Sequence, residues 1–171
     1  GVQTCALPIS SPKTPPFPRG LKEHPLLVDR QPRYFLQYNP PHLDSPSPLV
    51  LLLHAGGQSM RKNFDGNSPA TLRWIRLATQ HHFILVAPNG VNPTTGDPYG
   101  DVQKWDDLRI EPGQSKADDV DFILTLLDDL SQHNSIDRHR IYVTGASNGG
   151  MMIYRLLVQH PERFASAAAF I

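Results

Sequence analysis

The feature of this 171-residue sequence that most constrains its fold is the pentapeptide Gly145-Ala-Ser-Asn-Gly149, which has the form G-x-S-x-G. It lies between the β-branched and aromatic segment Ile141–Thr144 and the helix-forming segment Met151–Gln159. A serine at a sharp strand-to-helix turn is typical of a nucleophile, because the strained turn exposes its hydroxyl above the sheet. The two glycines are predicted to let strand and helix approach closely. The sequence therefore predicts that Ser147 is a catalytic nucleophile.

A second candidate element is the turn His54-Ala-Gly-Gly57, which directly follows the apolar run Leu49–Leu53. The run predicts a strand buried on both faces of a parallel sheet. A turn after such a strand is where an enzyme with this serine motif donates an oxyanion-hole N–H. We expect the Asn148 N–H to be one donor and the Gly56 N–H the other, with Gly57 as second choice. The histidine is expected to cap or pack the turn, and it is not assigned as a base.

The order of predicted elements favours an α/β fold. Apolar or β-branched runs alternate with segments whose apolar residues recur at helical spacing. This alternation predicts a mostly parallel sheet with helices on both faces. The predicted strands are Arg33–Tyr38 at a sheet edge, Leu49–Leu53, Phe83–Ala87, Ile141–Thr144 and a buried Ala165–Ile171. The predicted helices are Pro69–His81, Ala117–Gln132 and Met151–Gln159.

A long loop is predicted over Asn89–Gly113, which contains several glycines and prolines and has no hydrophobic period. Long loops inside compact domains tend to be functional, so we expect this one to border the site. Trp105 and Tyr99 in this loop are candidates for lining a pocket, because amphipathic rings suit aromatic or polymeric ligands. The alternative is that Trp105 anchors the loop to the core.

The acidic residues upstream of the serine are not interpreted as catalytic. Asp118 and Asp119 stand at the start of a predicted helix, where negative charge is favourable. Asp106 and Asp107 are expected to be solvated loop residues. None of these four carboxylates is therefore predicted to belong to a catalytic triad.

The charge balance and the apolar runs exclude several functional classes. Lys+Arg and Asp+Glu both number 16, so the chain lacks the basic excess that neutralises nucleic-acid phosphates. The longest apolar run, Leu49–Leu53, is far shorter than the roughly 20 residues that a membrane span needs. A single cysteine, Cys5, rules out an intrachain disulfide. We therefore expect neither a nucleic acid nor a membrane as partner.

Four segments together resemble the polyhydroxybutyrate depolymerase and feruloyl esterase family of α/β-hydrolases. They are Pro48–Gly57, Val86–Gly90, Ala117–Leu130 and Arg140–Arg155. The most specific stretch within them is Gly-Ala-Ser-Asn-Gly-Gly-Met-Met, residues 145–152. The sequence departs from the family at Ala55, where a glycine usually follows the histidine.

This resemblance implies the α/β-hydrolase fold and the hydrolysis of carboxylic esters by a serine esterase. It implies a small-molecule or polymeric ester as substrate and requires no metal and no organic cofactor. It also implies an extracellular or periplasmic location, although the first residues lack the charged-then-apolar layout of a signal peptide.

Two residues after Ser147 could in principle complete a triad, but both are badly placed. The 24 residues that follow contain no Asp, and His160 and Glu162 lie beyond the predicted helix. At 1.5 Å per residue, His160 is roughly 18–20 Å from Ser147, beyond hydrogen-bond reach. We therefore expect the triad acid and histidine to be absent from this chain, the fold to be truncated after the strand that follows the serine, and the isolated chain to be inactive.

The domain organisation predicted from these features is simple. Residues 1–20 are rich in proline and are expected to be a disordered or non-native leader, since residues 1–9 resemble a translated sequencing adapter. Residues 21–171 are expected to form the N-terminal part of an α/β-hydrolase domain. Cys5 would then not be a native residue.

Two alternative functions stay open from the sequence. A peptidase or thioesterase on the same fold would use the same serine turn and oxyanion hole, because both serve every acyl transfer. A non-catalytic, hydrolase-like protein that binds a partner or ligand would lack the acid and base natively. An Asp and then a His downstream would favour the enzyme.

Overall fold

The computed structural model describes residues 17–65, 69–110 and 112–171, except for the side chains of residues 70 and 71. The predictions about residues 1–9 and Cys5, and most of the predicted leader 1–20, lie outside the described residues. Within the described part, no helix is both long enough and apolar enough to cross a membrane.

A six-stranded mixed sheet forms the centre of the described structure. Its strands are β1 (Leu21–Val28), β2 (Gln31–Tyr38), β3 (Ser47–Leu53), β4 (Ile84–Pro88), β5 (Ile136–Ala146) and β6 (Ser166–Phe170). The strand order is β1-β2-β4-β3-β5-β6. Strands β1 and β2 are antiparallel to their neighbours, whereas β4, β3, β5 and β6 run parallel to one another. The predicted α/β class with a mostly parallel sheet is confirmed.

In the described ranges, three α-helices cover the sheet, and they lie on both of its faces. They are α1 (Pro69–His81), α2 (Asp119–His133) and α3 (Asn148–Gln159), accompanied by short 3-10 turns at Lys62–Phe64 and Pro161–Arg163. Buried residues of α2 and α3 form one core cluster with Leu49, Leu51 and Val143 of the sheet. On the opposite face, Ala78 of α1 packs in a second cluster with Leu36 and Leu85.

The prediction that Arg33–Tyr38 is an edge strand is wrong. This segment belongs to β2, which lies between β1 and β4. The outer strand β1 carries Pro25 in its middle and mixed polar residues, so its sequence does not read as a strand. Proline is tolerated there because β1 is the edge strand of the sheet.

The prediction of a buried final strand is also wrong in one respect. Strand β6 forms at Ser166–Phe170, but its residues alternate between exposed and half-buried. It is the outermost strand next to β5, and Phe170 retains 65% of its exposure. Small apolar residues therefore predicted the strand correctly, whereas its burial was overestimated because, within the described residues, β6 pairs with β5 alone.

The parallel arrangement brings three connecting segments to one edge of the sheet. The turn after β3 begins at His54, the long loop after β4 begins at Asn89, and Ser147 follows β5 directly. The carboxyl ends of parallel strands meet at the same edge, which is where ligands bind in open α/β sheets. The segments predicted to carry function therefore lie together.

Candidate active site

Ser147 occupies the turn between β5 and α3. Its backbone has φ 52° and ψ −122°, a conformation that non-glycine residues rarely adopt and that costs on the order of 1–3 kcal/mol. The residue is exposed, and its N–H donates to the Phe170 carbonyl at 2.6 Å. The helix α3 begins at the next residue, so its positive end lies at the serine. This is the strand–turn–helix setting in which a serine hydroxyl is presented as a nucleophile.

The two glycines of the pentapeptide stand where no side chain fits. A Cβ at Gly145 would lie 2.8 Å from the Leu53 carbonyl oxygen. A Cβ at Gly149 would lie 2.6 Å from the His54 carbonyl oxygen and 2.7 Å from that of Leu53. Backbone atoms cannot give way as a flexible side chain can, so both positions require glycine. Because of this close approach, the turn that contains Ser147 (the serine turn) lies directly against the end of β3.

The turn after β3 brings the two predicted oxyanion donors into neighbouring segments. The Gln58 N–H donates to the Ala55 carbonyl at 3.1 Å, and Gly57 has φ 73°, which favours glycine. A Cβ at Gly56 would lie 3.2 Å from the Cβ of Asn148, so this turn packs directly on the start of α3.

The hydrogen bonds of this turn separate its two glycines. The Gly57 N–H donates to the Gln103 carbonyl at 2.8 Å and is therefore engaged. Within residues 17–65, 69–110 and 112–171, the N–H groups of Gly56 and Asn148 donate no hydrogen bond. Of the two glycines considered from the sequence, Gly56 is the one whose N–H is available to an oxyanion.

His54 is built into the structure as a neutral ring. It is 1% exposed, its Nδ1 lies 2.9 Å from the Ala55 carbonyl oxygen, and its Nε2 accepts from the Gly90 N–H at 2.9 Å. The proton must therefore be on Nδ1, which donates to Ala55. Burial lowers the pKa of His54 from 6.5 to about 4. With both nitrogens engaged, the ring holds the β3 turn against the loop after β4, as the packing interpretation proposed.

Trp105 lies in the core and not along a pocket. Its side chain is 0% exposed, its Nε1–H donates to the His54 carbonyl at 2.9 Å, and its ring packs against the His54 ring with centroids 4.6 Å apart. Tyr99 is 41% exposed and packs on Arg61 and Tyr34. The geometry favours the alternative that Trp105 anchors the long loop.

The side chain of Asn148 pairs with the backbone of Trp105. Its Oδ1 accepts from the Trp105 N–H at 2.8 Å, and its Nδ2 donates to the Trp105 carbonyl at 3.0 Å. Asn148 is 3% exposed. The long loop is thereby attached to the first residue of α3, next to Ser147.

The expectation that Asp106 and Asp107 are solvated is wrong. The Asp107 side chain is 0% exposed and accepts from Asn148 Nδ2 at 2.7 Å and from Arg109 Nε at 2.9 Å. Burial opposes its charged form, but the hydrogen bonds from Arg109 and Asn148 outweigh this, and the pKa of Asp107 lies below its ordinary value. Asp106 pairs with Arg155 of α3 at 3.1 Å. Both carboxylates therefore connect the long loop to α3, the helix that begins after Ser147.

Asp118 and Asp119 begin α2 as predicted, but Asp119 also has a partner that the sequence did not reveal. The Asp118 side chain caps the helix by accepting from the Asp121 N–H at 3.0 Å. Asp119 is 0% exposed and pairs with Arg33 of β2 at 2.5 Å, while its other oxygen accepts from the Asp106 N–H at 2.7 Å. Burial raises the pKa of Asp119 despite the cation. The buried ion pair of Asp119 and Arg33 thereby connects Asp106 of the long loop to β2 and to the start of α2.

His160 and Glu162 lie at the end of α3, as expected. His160 is the C-terminal cap of the helix, and its Nδ1 lies 3.6 Å from the Glu162 carboxylate. A helix of 12 residues separates them from Ser147, which corresponds to about 18 Å. They are helix-terminal residues.

A cavity of about 400 Å³ lies beside the serine turn. Its lining includes Ala55 of the turn after β3, Ala146 next to Ser147, Phe170, Trp74 and Lys62. It is large enough for a small acyl or alcohol group. Among the described residues, no group of three or more His, Cys, Asp or Glu side chains is arranged to hold a metal ion.

Comparison with known proteins identifies the family of this chain. A sequence profile of the prolyl oligopeptidase family matches residues 75–170, more than half of the chain and the whole of the serine turn. The chain belongs to the prolyl oligopeptidase family. It is thus a member of the serine hydrolases with the α/β-hydrolase fold.

Relatives of this prolyl oligopeptidase family member confirm the resemblance drawn from the sequence. Feruloyl esterase B of Thermothelomyces thermophilus is 29% identical over 133 residues, which are 78% of this chain and 42% of the relative. A poly(3-hydroxybutyrate) depolymerase of Ralstonia pickettii is 31% identical over 120 residues, 68% of this chain and 23% of the relative. The chain therefore spans less than half the length of either relative.

Solved structures confirm the fold. The acetyl xylan esterase from Aspergillus awamori superposes with a TM-score of 0.62 at 22% sequence identity, covering 85% of this chain and 50% of that chain. At this level of identity, the likeness concerns the fold alone.

Proposed function

We propose that the protein hydrolyses carboxylic esters with Ser147 as nucleophile, in the manner of a feruloyl esterase or a polyhydroxybutyrate depolymerase. The observation that carries the proposal is the strained and exposed Ser147, at φ 52°, placed at the start of α3 and beside the glycine turn of β3. A strained conformation persists only where the surrounding structure enforces it, and here it presents a hydroxyl next to two free N–H donors.

The reaction assigned to these residues is acyl transfer. The Ser147 hydroxyl attacks the ester carbonyl, and the negative charge that develops on its oxygen is stabilised by the N–H groups of Asn148 and Gly56. The positive end of α3 adds to this stabilisation. The bond between the carbonyl carbon and the alcohol oxygen then breaks, and the alkoxide leaves as the alcohol with the proton given up by the Ser147 hydroxyl. Water then hydrolyses the acyl-enzyme to the free carboxylic acid and restores the Ser147 hydroxyl. In this proposal, the described residues supply the nucleophile and the oxyanion hole for these steps.

The substrate is proposed to be an ester of a phenolic acid or of a hydroxyalkanoate chain. The cavity beside Ser147 supports a substrate with a compact apolar group, because its lining includes the apolar side chains of Leu53, Trp74 and Phe170. The relatives named above support the two ester classes. From the same resemblance we propose an extracellular or periplasmic location, which fractionation of the source cells would test by locating the esterase activity.

A peptidase activity is the second candidate, because the matching profile is that of the prolyl oligopeptidase family. The serine turn and the oxyanion hole act on an amide as on an ester. The two activities differ in the leaving group, since an amine must be protonated as it departs.

The test uses the protein expressed from its complete reading frame. We expect hydrolysis of p-nitrophenyl butyrate, methyl ferulate or a hydroxybutyrate trimer to exceed hydrolysis of a prolyl p-nitroanilide. Ser147→Ala should lower kcat on the preferred ester by at least about 10³-fold. Ser131→Ala, which removes a hydroxyl bonded only to the Leu127 carbonyl within α2, is the matched control and should retain activity.

Each outcome of this test is decisive. Full activity in Ser147→Ala would reject the serine mechanism. Serine-dependent cleavage of the anilide with no cleavage of any ester would replace the esterase proposal with the peptidase.

A further inference from the structure

The segment Gln103–Trp105 of the long loop is hydrogen-bonded to both halves of the proposed oxyanion hole. On one side it runs against the β3 turn, because the Gly57 N–H donates to the Gln103 carbonyl at 2.8 Å and the Gln103 N–H donates to the Gln58 carbonyl at 2.9 Å. Gln58 and Gln103 also form an isolated antiparallel bridge. The turn that carries Gly56 is therefore fixed to this segment.

On its other side the same segment is held by the Asn148 side chain. The amide accepts from the Trp105 N–H at 2.8 Å and donates to the Trp105 carbonyl at 3.0 Å. Two parallel hydrogen bonds to one residue's peptide groups fix both the distance and the orientation of Asn148. The Trp105 indole adds a third connection by donating to the His54 carbonyl at 2.9 Å.

The orientation of the Asn148 amide is set by Asp107. The Asp107 carboxylate accepts from Nδ2 at 2.7 Å, and an ionised carboxylate can only accept. The amide oxygen must then face the Trp105 N–H. The low pKa of Asp107 keeps this carboxylate ionised.

We propose that Asn148 is a positioning residue. By binding the backbone of Trp105, its side chain holds the Asn148 N–H and the Gly56 N–H in fixed positions relative to each other. This inference rests on the proposed esterase function. The connection runs from Asn148 through Trp105 to Gln103 and from there to the turn of Gly56. The side chain touches no reacting atom, so it acts through the placement of the two donors.

The first experiment separates positioning from simple stabilisation. Asn148→Ala retains its own N–H but leaves the Trp105 peptide groups without partners, whereas Leu126→Ala opens a cavity in α2 away from the site. Both variants, made in the protein from its complete reading frame, should lose Tm. Only Asn148→Ala should lower kcat on p-nitrophenyl butyrate, by about 10- to 100-fold with little change in KM.

A boronic acid that forms a tetrahedral adduct with the serine gives a second readout. Its inhibition constant should rise in Asn148→Ala by about the same factor as kcat falls, because both depend on the oxyanion donors. An Asn148→Ala variant whose kcat and boronate affinity match those of Leu126→Ala would overturn the positioning role.

The hydrogen-bond direction is tested by a rescue. Asn148→Asp places a carboxylate against Asp107 and the Trp105 carbonyl, so its kcat should fall below that of Asn148→Ala. Adding Asp107→Asn restores a donor opposite the new carboxylate and should recover part of kcat. A double variant that melts no lower than the single variant and still recovers no activity would contradict the assignment.

The two proposals fail in different ways. A wild-type protein that cleaves no ester in a Ser147-dependent manner would reject the esterase function. A wild-type protein with normal hydrolysis, together with an Asn148→Ala variant of undiminished kcat, would reject only the positioning role.

Discussion

The carboxyl end of the parallel strands and the outer strand β6 are held in place differently, although both adjoin β5. At the carboxyl end, the β3 turn, the serine turn and the long loop form a junction in which His54, Trp105 and Asn148 are each at most 3% exposed. At the outer edge, β6 is held by its ladder to β5 and by one face, and its side chains alternate between exposed and half-buried. Among the described residues, the site is therefore fixed by bonds between separate backbone segments, whereas β6 pairs with the single strand β5 and contacts the site through the Phe170 carbonyl, which accepts from the Ser147 N–H.

The largest loss of stability is expected from adding a side chain at Gly149, where the serine turn meets the end of β3. Gly149→Ala places a Cβ 2.6 Å from the His54 carbonyl oxygen, so backbone must move, and we expect a loss of more than about 3 kcal/mol of unfolding free energy. Urea denaturation measures this loss. Gly100→Ala is the matched control, because its Cβ would meet only side-chain atoms at ordinary contact distance. Equal losses in the two variants would show that the junction is not tightly packed.

A second effect of similar size concerns pH. The folded protein keeps His54 neutral down to about pH 4, whereas the unfolded chain protonates it near 6.5, so the unfolded state binds more protons between these values. Stability due to this residue is complete above pH 6.5 and falls as the pH drops towards 4, by about 3 kcal/mol. The difference in unfolding free energy between wild type and His54→Gln, measured across this window, isolates the contribution. A difference that stays constant with pH would show that His54 is not buried in the neutral form.

The smallest effect is expected at the edge strand. In the 171-residue chain Phe170 is 65% exposed, so Phe170→Ala in a chain of this length should change the unfolding free energy by less than about 0.5 kcal/mol. Val143→Ala, on the neighbouring strand and 1% exposed, is the control and should cost about 2 kcal/mol. A large loss from Phe170→Ala would remove the contrast between edge and junction.

The sequence predicted well the elements that depend on local patterns. Helix α1 has the predicted bounds Pro69–His81, because its apolar spacing and its flanking residues are local signals. The strand and helix on either side of Ser147 were likewise predicted, since the small residues of the turn are needed by nearest neighbours. Strand β1 was missed because Pro25 interrupts its pattern.

The supporting contacts of the site could not be predicted in the same way. Asn148 pairs with a residue 43 positions earlier, and Arg33 pairs with a residue 86 positions later. The local sequence around either residue does not predict its partner, because the pairing exists only once β2, α2 and the long loop have been brought together by folding. For the same reason, the prediction that Asp107 is a solvated loop residue was wrong.

The backbone of Ser147 has a consequence for anyone who would engineer this protein. A screen for thermal stability would be drawn towards glycine at position 147, because glycine adopts a φ of 52° without strain. The same substitution would delete the hydroxyl that we propose as the nucleophile. Selection for robustness and selection for turnover thus pull this one position in opposite directions, and a library filtered only for heat resistance would discard the chemistry first.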